Sequence, residues 1–281
     1  MAPGKAVAGS GAVLMELWKA ALILFFLYGL WKGIFYFSFY KGWTVSNFKG
    51  KQTPYTAGMW LVLSFLVFIW VPGEVTLPFI SGMIYLVAVW IAGWLDDRYG
   101  KPFPKGIKGH INHFFKSGEM TTGLLKLTVT VVAAFFAAMA YPFEHPLALF
   151  FTFSLLVLGP HMFNLLDTRP LRVWKVFFVY GILLLYVIRE EVTVTTSLLL
   201  IMVVWFYIEA AEEGMLGDNG AAASGGLLFY LTAVYAPLAL QAVVSGLLLF
   251  FTIYAERHSL TSAIAASPFL SRIDSWGIAK K

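Results

Sequence analysis

Apolar runs of bilayer-spanning length recur along almost the whole chain, at about 13–31, 57–71, 78–94, 124–141, 147–163, 173–188, 192–208, 221–236 and 238–255. A transmembrane helix needs about 17 to 25 predominantly apolar residues, because its backbone polar groups find no water in the hydrocarbon and must pair within the segment. The pattern predicts an all-α polytopic membrane protein with about nine spans, or eight to ten depending on the shortest runs and on Pro237. A proline at that place marks either a turn between two helices or a kink in one. Composition agrees: soluble domains carry about 25% charged residues, whereas 12% of these 281 are charged and 59% are hydrophobic. Lys5 ahead of the first run has the look of a signal peptide, but the apolar core is too long and no cleavage site precedes Trp31 and Lys32, so the run is retained as a helix. Residues 1–281 are read as one integral membrane domain and 256–281 as its surface tail.

The net charge of +5 comes from Lys and Arg in short segments between apolar runs, not from one basic stripe. That distribution reads as a topology signal, with no nucleic acid as partner. Lys41, Lys49, Lys51, Arg98, Lys101, Lys105, Lys108, Lys116, Arg169, Arg172, Lys175, Arg257, Arg272, Lys280 and Lys281 fall on one side, and Lys5 and Arg189 on the other. The imbalance puts the N-terminus outside and the C-terminus inside. The tail is expected on the inner membrane surface as a short helix, with Pro268, Phe269, Leu270, Ile273 and Trp276 toward lipid or protein. The absence of Cys excludes a disulfide framework, a thiolate metal site and a cysteine nucleophile, and the scattered His argue against a histidine zinc site.

The outer connections are short, and the inner ones hold almost all the carboxylates, so a functional site is expected on the cytoplasmic face. Asp96 and Asp97 close one apolar run; two adjacent carboxylates at a membrane boundary are costly unless a cation compensates them. Asn164 and Asp167, three apart, share a face if the helix continues, and Arg169, Arg172 and Lys175 follow as candidates for an anionic ligand. Glu209, Glu212 and Glu213 read as one helical face ahead of a turn, Gly217-Asp218-Asn219-Gly220, where backbone can approach a ligand closely. A lone Asp at the membrane edge suits a hard cation that keeps substrate phosphate oxygens as its other ligands. Lys126 stands at the start of an apolar run, where it either snorkels to the surface or meets phosphate or the Asp96–Asp97 pair. Each segment also has a plainer reading as helix cap, turn or stop-transfer charge.

Taken in order, these segments resemble the polyprenyl-phosphate N-acetylhexosamine-1-phosphate transferases, which include the phospho-MurNAc-pentapeptide translocase and the GlcNAc-1-phosphate transferases. The resemblance covers about residues 45–257: "NFKGKQTPYTAG" at 47–58, the Asp96–Asp97 pair, Lys126, Asn164 with Asp167, and "GDNG" at 217–220. Met215 occupies a place where the peptidoglycan enzymes have an aromatic, Thr168 and Arg169 replace Asp-Gly, and the histidine-rich final loop is reduced to His258.

The resemblance implies transfer of a sugar 1-phosphate, with an N-acetylhexosamine as the expected sugar, from a UDP-sugar to a polyprenyl phosphate at the plasma membrane. UMP is released, and the lipid-linked sugar serves cell-envelope glycan synthesis. It further implies Mg²⁺ (or Mn²⁺) on Asp218 with Asp97 in support, Asp96 orienting or deprotonating the lipid phosphate, and Lys126 neutralising phosphate charge. Asn164, Asp167, Arg169, Met215 and Asn219 are implied at the substrate, the bilayer as partner, and a homodimer is compatible. The rival reading is a non-catalytic transporter or lipid-binding scaffold, including a degenerate member of the family. Transporters place ionisable groups near the bilayer midplane, whereas these lie at helix ends.

Overall fold

The computed structural model describes residues 4–47, 49–68, 76–101, 106–141, 145–188 and 192–278. The short connections at 71–75, 142–144 and 189–191, together with Lys105, Lys280 and Lys281, lie outside the described residues. Each of the nine apolar runs falls on a helix: α1 (Gly4–Lys41), α2 (Ala57–Phe68), α3 (Leu77–Tyr99), α5 (Thr122–Met139), α6 (Pro146–Leu166), α7 (Arg172–Val187), α8 (Val192–Ala210), α9 (Gly217–Tyr235) and α10 (Leu238–Arg257). Among the described residues, five segments are long and apolar enough to cross a membrane: Leu17–Lys41 of α1, α3, α5, α6 and α10. The protein is therefore an all-α membrane protein in kind.

Five elements, in three places, were not legible as apolar runs. A two-stranded antiparallel hairpin, β1 (Thr44–Ser46) with β2 (Gln52–Pro54), follows α1. Its turn is built by Asn47, whose side chain accepts the backbone N–H of Lys49 and of Lys51 in the manner of an Asx turn. The amphipathic helix α4 (Gly106–Ser117) lies between α3 and α5, and the tail forms two helices, α11 (Leu260–Ala266) and α12 (Pro268–Ser275), where one was expected. Pro237 is the N-cap of α10, so it marks a turn and not a kink.

Helix α9 is the axis of the bundle. Every residue from Asn219 to Ala233 is buried, which its Gly-Ala-Ser composition allows by letting neighbouring backbones come close. A Cβ on Gly225 would lie 2.5 Å from the Gly159 carbonyl oxygen of α6, so only glycine fits there. Pro160 lies inside α6 and lacks the N–H that would bond the Leu156 carbonyl. The hydroxyl of Tyr85, on α3, donates to that carbonyl at 2.6 Å. The lost helix bond thus becomes a tie between α3 and α6, the two helices whose C-terminal ends carry Asp96, Asp97 and Asp167.

Candidate active site

Adjacent residues on an α-helix point about 100° apart, and this separates the two carboxylates at the end of α3. Asp97 turns toward the start of α9. Its Oδ1 accepts the backbone N–H of Asp218 at 2.9 Å, and its Oδ2 accepts the backbone N–H of Asn219 at 2.9 Å and the Asn219 amide at 2.6 Å. A carboxylate beside the free amides of a helix N-terminus satisfies donors that have no partner within the helix. Gly217 makes the approach feasible: its φ is +67°, and a Cβ there would lie 2.9 Å from Asp97 Oδ2.

Asp96 turns the other way, toward α5. The ammonium of Lys126 lies 2.7 Å from Asp96 Oδ2 and 2.5 Å from Asp218 Oδ2. Lys126 therefore does not snorkel away from the helix ends; it bridges two carboxylates from different helices. Its position follows from the cap of α5, where the Thr121 hydroxyl accepts the Leu124 N–H and starts the helix one turn before the lysine.

Two cavities meet at Asp218. One, of about 310 Å³, runs between α4, α5 and α6 and is lined by Asp96, His110, Lys126, His161, Asn164 and Asp218 with an apolar remainder that includes Leu127, Val157 and Pro160. The His161 Nε2 and Asn164 Oδ1 atoms are buried without a hydrogen-bond partner. Burial holds the His110 imidazole below its ordinary pKa, partly opposed by Asp96, and its Nδ1 lies 2.8 Å from the Thr121 hydroxyl. The other cavity, of about 330 Å³, lies under the hairpin and is lined by Asn47, Tyr55, Asp97, Asp167, Arg169, Glu209, Met215 and Asp218 among others. Met215 is held there by the hairpin, since its N–H donates to the Pro54 carbonyl and its carbonyl accepts the Ala57 N–H. Burial, with Glu209, Asp218 and Asp97 nearby, pushes the Asp167 carboxyl well above the ordinary range.

Several expectations are corrected by this geometry. Helix α6 ends at Leu166, and Asp167 leaves the helical conformation with ψ near 63°, so Asn164 and Asp167 do not share a face and line different cavities. Asn219 has no exposed surface. It braces α9 against Asp97 and against the Tyr55 carbonyl, and lines neither cavity. The acidic trio does not share a helical face because α8 ends at Ala210. Glu209 is buried and accepts from Leu171 N and Trp205 Nε1, Glu212 pairs with Lys49, and Glu213 pairs with Lys32 and accepts from Trp31. Arg172 and Lys175 line neither of these two cavities: both bind Asp274 of the tail.

Sequence reasoning passed over Tyr55, His110 and His161. His110 sits on the face of α4 that Ile107, Ile111 and Phe114 define at helical spacing, a short amphipathic signal between two spans. His161 stands alone in an apolar run and gave no signal beyond its polarity.

Among the described residues no group of three or more His, Asp or Glu is placed to hold a metal ion. Asp96 and Asp218, both on Lys126, are the carboxylates that line the first cavity, and Asp218 also lines the second. That donor set fits Mg²⁺, which is commonly bound by one or two carboxylates plus substrate phosphates. No family model, no curated protein and no solved structure matches this chain.

Proposed function

We propose that the protein transfers a sugar 1-phosphate from a UDP-sugar to a polyprenyl phosphate, as its resemblance to the polyprenyl-phosphate N-acetylhexosamine-1-phosphate transferases implies. The observation that carries this reading is the Lys126 bridge between Asp96 and Asp218 at the junction of two cavities of different chemistry. A reaction that joins two anions needs a cation and carboxylates at their meeting point and separate pockets for the two partners.

In this reading the UDP-sugar occupies the cavity under the hairpin. Asp167 hydrogen-bonds the nucleotide, with burial and the neighbouring carboxylates favouring its protonated form, Met215 and Tyr55 beside it and Arg169 toward phosphate. The lipid phosphate occupies the half-apolar cavity, where His161 and Asn164 still have bonding capacity. An oxygen of the lipid phosphate attacks the β-phosphorus of the UDP-sugar; the bond from that phosphorus to the bridging oxygen breaks, and UMP leaves. Asp96 orients the lipid phosphate. It has little deprotonation to perform, because the second pKa of a phosphate monoester is near ~6.

Lys126 neutralises charge between the two partners, and phosphoryl transfer is catalysed chiefly by such positioning and electrostatic stabilisation. Asp218 would hold Mg²⁺ or Mn²⁺, with Asp97 in support by fixing the start of α9. When bound, the ion supplies positive charge to the pyrophosphate oxygens. The nine apolar helices are read as nine spans in a plasma membrane, with the site in the cytoplasm and the N-terminus outside. Ionisable groups gathered at helix ends, not at the bilayer midplane, favour this reading over a transporter.

The test is UMP release from a panel of UDP-sugars with undecaprenyl phosphate in detergent. Release is expected with Mg²⁺, to be lost on chelation and nearly lost in Asp218→Asn with the protein still folded. No release from any UDP-sugar would reject the proposal. Cysteines at Ser46 and Ser271 are expected to label only from the cytoplasmic side and one at Glu144 only from outside; labelling of Ser46 from outside would overturn the orientation.

A further inference from the structure

The C-terminal tail is tied to the loop between α6 and α7 at three separate points. Thr261, on α11, lies 3.1 Å from the Thr168 hydroxyl and accepts from Arg172 at 3.0 Å, while Arg172 also donates to Thr168. Asp274, on α12, takes the Arg172 guanidinium in a two-pronged pair, Nε to Oδ1 at 2.7 Å and Nη2 to Oδ2 at 2.8 Å. Arg169 reaches the same Oδ2 at 3.1 Å, and the Lys175 ammonium donates to the Asp274 carbonyl at 2.7 Å. Gly277, at φ +77°, lets the chain pass so close that a Cβ would lie 2.9 Å from Leu171 Cδ1. Arg172 and Asp274 are 3% and 5% exposed, so the pair is sealed from water.

The loop held in this way contains an unfavourable backbone conformation. Leu171 adopts a left-handed conformation, φ 61°, that a branched side chain rarely takes. Pro170 removes a backbone donor, and the Leu171 N–H donates to the buried carboxyl of Glu209. Thr168, Arg169 and Pro170 nevertheless form one wall of the cavity that also holds Asp167 and Met215. The outer side of α12 presents Phe269, Leu270 and Ile273 to the surroundings, with Trp276 exposed just past its end, an apolar face suited to the membrane surface. The tail therefore joins that surface to one wall of the donor cavity.

We infer that Asp274 is a positioning residue for the donor cavity: through Arg172 and Arg169 it sets the 168–171 wall against which the nucleotide diphosphate group rests. This inference rests on the reading of that cavity as the UDP-sugar site. A tail that served only as a membrane anchor would not need buried, two-pronged recognition of a loop that lines a cavity. A tail that served only the general fold would affect stability and turnover without singling out one substrate.

The experiment measures UMP release by the full chain while each substrate is varied, together with thermal unfolding, for Asp274→Ala, Asp274→Glu and Gly277→Ala. Asp274→Ala is expected to raise the KM for UDP-sugar ~10-fold, as small misplacements of positioning groups do. The KM for polyprenyl phosphate should stay within about twofold, the usual spread for groups not in contact with the change. Asp274→Glu, which keeps the carboxylate, should recover part of the loss. Should Asp274→Ala fail to fold, Gly277→Ala is the second probe: the new methyl pushes the tail from Leu171 with all charges kept, and the same selective rise in KM is expected. An unchanged KM for UDP-sugar in a folded variant, or an equal rise for both substrates, would overturn the inference. A parent chain that releases no UMP would instead remove the reading on which it rests.

Discussion

Asp97 caps the residue that it was expected to join: its Oδ1 accepts the backbone N–H of Asp218 at 2.9 Å, while the Asp218 side chain points away to Lys126. One carboxylate thus fixes the backbone that aims the other. Asp97→Asn replaces one carboxylate oxygen by an NH₂, which then faces either the Asp218 N–H or the Asn219 N–H and amide, so at least one buried donor loses its acceptor, at a cost of about 1–3 kcal/mol. A lower unfolding temperature should accompany a fall in UMP release at saturating Mg²⁺. A variant that melts and turns over like the parent would deprive Asp97 of this role.

Burial and three neighbouring carboxyl groups push the Asp167 pKa well above the ordinary range, which favours the protonated carboxyl as the form that meets the nucleotide. A neutral carboxyl, with one O–H, and an asparagine amide, with an NH₂, both pair a donor group with an acceptor oxygen. Asp167→Asn should keep the KM for UDP-sugar within about threefold, whereas Asp167→Leu, which abolishes the hydrogen bond, should raise it ~10-fold. Equal loss in both variants would show that the ionised carboxylate is what the site uses.

The apolar helices were legible because lipid imposes one rule on every span: length and hydrophobicity suffice to find them. The site was legible in part, since carboxylates and a lysine at helix ends are costly and so stand out. Partnership was not legible. Nothing local to Asp96 and Asp97 says that one faces α5 and the other α9; that depends on how α3 packs between them. The cations after Asp167 misled for the same reason. Their partner, Asp274, lies about a hundred residues later in a tail whose only visible signal was amphipathicity, and no local pattern connects it to Arg172.

The hydrogen bonds from Arg172 hold the Asp274 carboxyl below its ordinary pKa against the opposing effect of burial, with Arg169 and Lys175 adding positive charge. A carboxyl whose native pKa lies below its unfolded value of about 3.9 contributes stability above that value and loses it as pH falls through the native pKa. Tail docking should therefore be constant above about pH 5 and weaken below about pH 4. Limited proteolysis between α12 and α10, followed against pH, checks this. Asp274→Asn should be cleaved readily at neutral pH and show no further acid response in that window; a parent tail that loosens as pH rises would contradict the sign.

Lys126 offers the sharpest separation of catalysis from structure. In the bridge its ammonium touches Asp96 and Asp218 and is largely buried, with 17% of the side chain exposed. If its task were only to relieve repulsion between two carboxylates, Lys126→Gln would lower stability, and added Mg²⁺, which favours the same oxygens, would restore both the unfolding temperature and turnover. If its task is to offset charge on the pyrophosphate as the lipid phosphate approaches, a metal ion on Asp218 does not replace it. One preorganised electrostatic contact is typically worth ~10²- to 10³-fold in rate. Lys126→Gln should therefore insert in the membrane, regain its unfolding temperature with Mg²⁺, and still release UMP at least ~100-fold more slowly at saturating substrates. Recovery of turnover together with stability would return Lys126 to a structural role.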